Sequence, residues 1–172
     1  MAKVFVSIGS NIDRYRHLTA GFDALQRQYG KLEISPVYES ESVGFAGDAF
    51  LNAVVAFETE QSVAALQACL KVIEDAHGRE RGGPKYSARS LDLDILCYDQ
   101  LVGCIDDVIL PRHEILHNAF VLRPMADLVP DECHPVAKKS YAALWQAYDQ
   151  QSQKLWPVVF NWGNKPVSVS GR

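Results

Sequence analysis

Val4, Val6 and Ile8 alternate with Phe5 and Ser7 and run into Gly9-Ser10-Asn11, the period-two pattern of a strand that ends in a turn. Tyr15, Leu18, Phe22, Leu25 and Tyr29 then recur at steps of three and four, one stripe of a helix that Gly30 is placed to stop. Leu32 to Ser40 reads as a strand whose Pro36 predicts an edge position or a bulge. After a loop at Gly44-Phe45-Ala46-Gly47-Asp48, Phe50 to Thr59 predicts another strand, with Leu51, Ala53, Val55 and Phe57 on one face and Phe50 and Asn52 on the other. Ser62 is a candidate cap for a second helix, striped by Val63, Leu66, Leu70, Ile73 and His77, with Glu74 beside the stripe.

Leu91, Leu93, Ile95 and Cys97 alternate with Asp92 and Asp94 in the next strand. A polar hairpin around Val102 to Ile109, a short helix from Phe120 to Val129, a helix from Ser140 to Gln150 and a strand from Leu155 to Phe160 follow. Asn161 to Arg172 reads as a loose tail. His17 and His77 are expected on helix surfaces. The order β-α-β-β-α-β with added elements predicts an α+β fold, a ferredoxin-like (split βαβ), largely antiparallel sheet with flanking helices. One domain over residues 1–160 accounts for the chain of 172.

Composition changes this picture little. The chain is 48% hydrophobic and 22% charged, as expected of a globular protein. A net charge of −4 gives no global basic footprint for nucleic acid. Cys69, Cys97, Cys104 and Cys133 form no C-x-x-C pair, and no apolar run suits a membrane span, so a cytoplasmic protein with reduced thiols is expected.

Charge patterning does change it. On a strand, Asp92 and Asp94 project to one side, roughly 6–7 Å apart at the backbone for a rise of about 3.3 Å per residue. Paired carboxylates of this kind suit Mg²⁺, which completes its shell with water and substrate phosphates. Just upstream, Gly78 to Arg89 is a glycine-rich loop carrying Arg79, Arg81, Lys85 and Arg89, cations whose geometry matches phosphate oxygens. The alternative is a solvated surface loop whose arginines neutralise the aspartates. Phe50 and Asn52 are open to two readings as well: a packing aromatic, or a stacking platform beside an amide that reads the edge of a planar ring.

Five blocks occur in order: Gly9-Ser10-Asn11, Phe50-Leu51-Asn52-Ala53, Gly78-Arg79-x-Arg81, Arg89-Ser90-Leu91-Asp92-Leu93-Asp94-Ile95 and Ala119-Phe120-Val121-Leu122-x-Pro124. Over residues 3 to 130 the chain resembles the 6-hydroxymethyl-7,8-dihydropterin pyrophosphokinases of folate biosynthesis. The resemblance implies transfer of pyrophosphate from ATP to the pterin hydroxymethyl group, with AMP leaving. It implies two Mg²⁺ ions on Asp92 and Asp94, and catalytic roles for these two with Arg79 and Arg89. Nucleotide contacts would come from Glu74, Arg81, Tyr86 and Arg112. Ser40, Val43, Phe50, Asn52 and Phe120 would form the pterin slot, the two aromatics sandwiching the ring. Partners would be small molecules only, and the chain a monomer or weak dimer.

The chain departs from the family pattern at several places. Ser40-Glu41-Ser42 stands where Thr-Pro-Pro is common, Tyr86 for a loop tryptophan, Arg112 for a histidine after proline with His113 one place on, and Asn118 for a phosphate-holding arginine. Arg112 is therefore expected to supply the cation that Asn118 does not. Two other readings compete: a weakened paralogue that binds pterin or nucleotide as a regulatory domain, and a zinc hydrolase through His113-Glu114-Ile115-Leu116-His117, an H-E-x-x-H match that Glu132 or His134 would complete. RNA binding on the sheet lacks an aromatic run on a basic strand.

Overall fold

The structure, a computed structural model, describes residues 1–40, 49–77 and 90–168. Its elements are β1 (Ala2–Ser10), α1 (Arg14–Tyr29), β2 (Glu33–Ile34), β3 (Tyr38–Ser40), β4 (Phe50–Thr59), α2 (Val63–Ala76) and β5 (Asp92–Tyr98). The β6 (Gly103–Ile105) and β7 (Val108–Leu110) hairpin follows, then α3 (Glu114–His117), α4 (Ala119–Leu128), α5 (Tyr141–Ala147), β8 (Leu155–Pro157), β9 (Phe160–Trp162) and β10 (Lys165–Ser168). The main sheet runs β5-β1-β4-β3-β8, with β2 also on β4, and every pairing in it is antiparallel. This is the expected α+β, ferredoxin-like arrangement.

Both faces of the sheet are covered. On the first, Val4, Val6, Ile8, Leu51, Val55, Leu93 and Ile95 pack against the apolar stripes of α1 and α2. On the second, Phe5, Val54, Ala56 and Leu96 meet Val121, Leu122, Met125 and Tyr141 of α4 and α5. Helix α1 lies close on the sheet because residue 21 is glycine. A Cβ there would come within 2.7 Å of Ile8 Cδ1 and 3.1 Å of Leu91 Cδ1. The expected punctuation is present: the Gly30 amide, at φ 81°, bonds to Gln26 O, and Ser62 Oγ accepts from the Ala65 amide.

Four expectations need correction. Pro36 splits the second predicted strand, Leu32 to Ser40, into β2 and β3, and the Ser35 hydroxyl accepts from the Val54 amide at the break. Cys97 does not share a face with Leu93 and Ile95: a bulge opposite Phe5/Val6 inserts Leu96, so Leu96 and Cys97 both enter the second core. His17 is buried, not on a helix surface, with Nδ1 2.5 Å from Ile12 O. The tail is not loose over residues 161–168. It forms the β9–β10 hairpin, with Phe160 stacked on Tyr15 and edge-on to Phe22, and Trp162 Nε1 donating to Asp23 at 2.8 Å. Residues 169–172 lie outside the described residues.

The close α1 approach has a measurable consequence. Alanine at position 21 improves helix propensity by about 1 kcal/mol, yet overpacking a filled site costs about 1–3 kcal/mol. Gly21→Ala is expected to lower unfolding stability by roughly 1–2 kcal/mol in urea titrations, and Ile8→Val in the same chain to recover part of it.

Candidate active site

One end of the second face is left polar. Register across three strands aligns Asp92 on β5 with Gly9 on β1 and Asn52 on β4, and Asn52 in turn with Tyr38 on β3. Asp94 faces Ser7, and Phe50 faces Ser40. Paired residues share a face, so Asp92, Asp94, Asn52, Phe50 and Ser40 all stand on the α4 side of the sheet, beyond the cover that α4 gives Val54 and Ala56. Asn52 Nδ2 donates to Ser40 Oγ at 3.1 Å. Gly9 is what gives the Asn52 amide its room, because a Cβ there would lie 2.8 Å from Asn52 Oδ1. Phe120, in the first turn of α4, is half-buried against the same core.

The Asp94 carboxylate carries an electrostatic penalty. Burial first, then the charge of Asp92, pushes the Asp94 carboxyl up to about 7, with Glu114 and Glu74 adding to the effect and Arg112 opposing it. Arg112 Nη2 lies 3.7 Å from Asp94 Oδ1 and 2.7 Å from Glu114 Oε1, and its Nε donates to the same Glu114 oxygen at 2.8 Å. The Arg112 amide bonds to Leu96 O at 2.9 Å, fixing the residue against β5. Glu74 is buried, and its Oε2 accepts the Leu93 amide at 2.7 Å on the open edge of β5. A largely buried Asp94 carboxyl with the Asp92 carboxylate beside it is a chemically fitting seat for a hard divalent cation, which relieves that repulsion.

The structure thus brings together Ser40, Phe50, Asn52, Asp92, Asp94 and Arg112 on one face, with Glu74 behind β5 and Phe120 at the start of the covering helix. Arg79, Arg81, Tyr86 and Arg89 of the basic loop, and Val43 with Glu41 of the other loop, lie outside the described residues. Asn118 precedes α4, its carbonyl accepting the Val121 and Leu122 amides. Two contributors escaped the sequence reading. Glu114 had only the role of a zinc base there, and Gly9 had only a turn position. The H-E-x-x-H segment is a single turn, α3, followed by extended Asn118, and its glutamate is engaged by Arg112. No group of three or more metal-binding side chains assembles among the described residues.

The raised Asp94 value fixes a sign. A carboxyl whose folded pKa lies above its ordinary 3.8 weakens the fold as pH rises from there to about 7, and the loss is complete above that. With chelator present, Asp94→Asn is expected to unfold at higher urea than the parent at pH 8, by about 2 kcal/mol once the partial exposure of the group is allowed for. At pH 4 the two should coincide.

Comparison with known proteins agrees with this geometry. The family model for 7,8-dihydro-6-hydroxymethylpterin-pyrophosphokinase matches residues 5–130. The 2-amino-4-hydroxy-6-hydroxymethyldihydropteridine pyrophosphokinase of Pseudomonas aeruginosa is 35% identical over 133 residues, covering 75% of this chain and 82% of its own. The Bacillus subtilis protein of the same name is 30% identical, covering 88% of this chain and 89% of its own. The folic acid synthesis protein fol1 of Pneumocystis carinii is 32% identical over 98% of this chain, which spans only 23% of that longer protein. In fold, wild-type HPPK-DHPS of Plasmodium falciparum superposes with a TM-score of 0.73 at 12% identity, over 98% of this chain and 49% of that one. The match to the family model over most of the chain, with two bacterial relatives at or above 30% identity, means that this chain belongs to the 7,8-dihydro-6-hydroxymethylpterin-pyrophosphokinase family.

Proposed function

We propose that the polar end of the second sheet face is where this family member transfers pyrophosphate from ATP to the hydroxymethyl group of 6-hydroxymethyl-7,8-dihydropterin, releasing AMP, in folate biosynthesis. The observation that carries the reading is the row Asp92–Gly9–Asn52 across three adjacent strands. It sets the acid pair about 10 Å from the amide, two strand spacings. One substrate can then be held by its ring at β4 while its hydroxymethyl arm points toward the phosphates at β5.

Phe50 and Phe120 take the two faces of the pterin, and the Asn52 carboxamide reads its polar edge, held by Ser40 with Val43 close in sequence. Asp92 and Asp94 hold magnesium, and two ions are the family expectation. When bound, magnesium supplies charge neutralisation across the triphosphate. Arg112, kept in place by Glu114, adds a cation at the Asp94 side and stands in for the arginine that Asn118 replaces. Arg79, Arg81 and Arg89 complete the phosphate grip, with Tyr86 and Glu74 toward the nucleotide. The chain's own work is positioning and charge placement, with no covalent intermediate.

Nothing among the described residues favours the binding-only reading, since acid pair and amide slot are both assembled. The described helices include none long and apolar enough to cross a membrane, and the four cysteines are free, which supports a cytoplasmic setting. A monomer or weak dimer acting on small molecules completes the proposal.

The decisive experiment is AMP release from ATP on addition of the pterin alcohol. Asp92→Ala and Asp94→Ala are each expected to cut that release by about a hundredfold or more, because the triphosphate loses its anchored counter-charge. Circular dichroism should stay unchanged, since neither side chain belongs to a core. Activity within about threefold of the parent would refute the metal assignment. Phe50→Ala should weaken pterin binding by about 1–3 kcal/mol in calorimetry while leaving MgATP affinity in place.

A further inference from the structure

The pterin slot, on the reading above, rests on a strand pair that something must hold in register. Ser40 and Phe50 are partners across β3 and β4. The residues immediately before them, Glu39 and Ala49, are both gripped by Arg14 from the first turn of α1. Its Nη1 donates to the Glu39 carboxylate and, at 2.9 Å, to the Ala49 carbonyl. The same carboxylate accepts from Trp156 Nε1 at 2.7 Å. Trp156 stands opposite Glu39 in the β3/β8 ladder, and Leu155 opposite Ser40.

The cluster therefore lies on the opposite side of β3 from Ser40 and Tyr38, away from reacting groups. Arg14 and Glu39 are about three-quarters buried, at 23% and 22% side-chain exposure, so salt screens their contact weakly. The Arg14 bond holds the Glu39 carboxyl below its ordinary range despite burial, which keeps it an acceptor for both donors. Trp156 also lies beyond residues 5–130, the span that the family model covers.

We propose that Trp156, acting through Glu39 and Arg14, is a positioning residue for the pterin slot. It sets the Ser40–Phe50 register that Asn52 and Phe50 need, so β8 is a working part of the substrate site. Losing a bond to a charged acceptor behind the slot should be felt by the pterin and not by the nucleotide. A general loosening of the fold would affect both.

The inference rests on the pyrophosphokinase reading, and the test separates the two. Initial rates of AMP release by the full chain are measured with pterin alcohol and MgATP varied separately. Trp156→Phe, which keeps ring and strand but removes the N–H, and Glu39→Ala should each raise the pterin KM about three- to tenfold, with kcat and the MgATP KM within about twofold. Glu39→Gln, still an acceptor for the indole, should fall nearer the parent. The double variant should be no worse than Glu39→Ala, because the two residues act as one unit. An unchanged pterin KM in both single variants, effects that multiply in the double, or kcat and both KM values moving together would each overturn the inference. Calorimetric binding of the pterin alcohol is run on the same set. A parent that binds the pterin but releases no AMP refutes the activity alone, and the binding constants then decide the positioning role. A parent that binds no pterin refutes both.

Discussion

The charge of Asp92 bears on the buried Asp94 carboxyl, and the strand that carries both must keep its shape against that repulsion. Two acids on one face of a short strand would splay or twist it, unless the other face is anchored. Leu91, Leu93 and Ile95 provide that anchor in the first core, and pairing with β1 fixes the backbone. Glu74 fastens the outward amide of Leu93. The third carboxylate adds to the electrostatic load on Asp94 even as it secures the strand. Stability and charge are thus opposed on one short strand, the kind of conflict that gathers at functional sites.

The second face divides the labour along its length. Helices α4 and α5 cover the apolar part, and small or polar residues occupy the rest: Ser7 and Gly9 on β1, Asn52 on β4, Ser40 on β3. Gly9 is the least replaceable of these in geometric terms, since any side chain would meet the Asn52 amide. On the proposed mechanism the chain uses no nucleophile of its own. It needs two substrates held at a fixed separation, and strand spacing supplies a ruler that loops would not.

Much of this was legible in the sequence because it depends on local periodicity. The Asp92/Asp94 side, the Phe50/Asn52 face, the Ser62 cap and the Gly30 stop each follow from residues within one or two turns. What escaped depends on distant partners or on one-residue slips. The bulge at Leu96 moves Cys97 across the sheet, and no alternation rule announces it. Residues 161–168 read as a tail because Trp162 finds its partner, Phe22, on α1, more than a hundred positions earlier. Glu39 and Trp156 are likewise 117 positions apart. Glu114 belongs to an H-E-x-x-H match in sequence, and only the fold sets Arg112 against it; the basic loop's arginines fall outside the described residues.

The same edges that serve the site also govern how the sheet meets other chains. An open strand edge is a template for strand addition and hence for aggregation. At one edge, the Glu74 carboxylate occupies the outward Leu93 amide and sets a negative charge where an incoming backbone carbonyl would dock. At the other, β8 is three residues long and ends in Pro157, which has no N–H to offer. Both borders of the main sheet are therefore poor seeds for intermolecular β-pairing, and at the β5 border one group responsible is the carboxylate that also adds to the electrostatic load on Asp94. A substitution that removed the Glu74 carboxylate would relieve the charge on Asp94 and at the same time unseal that border, so solubility and the electrostatics of Asp94 cannot be engineered separately at this position.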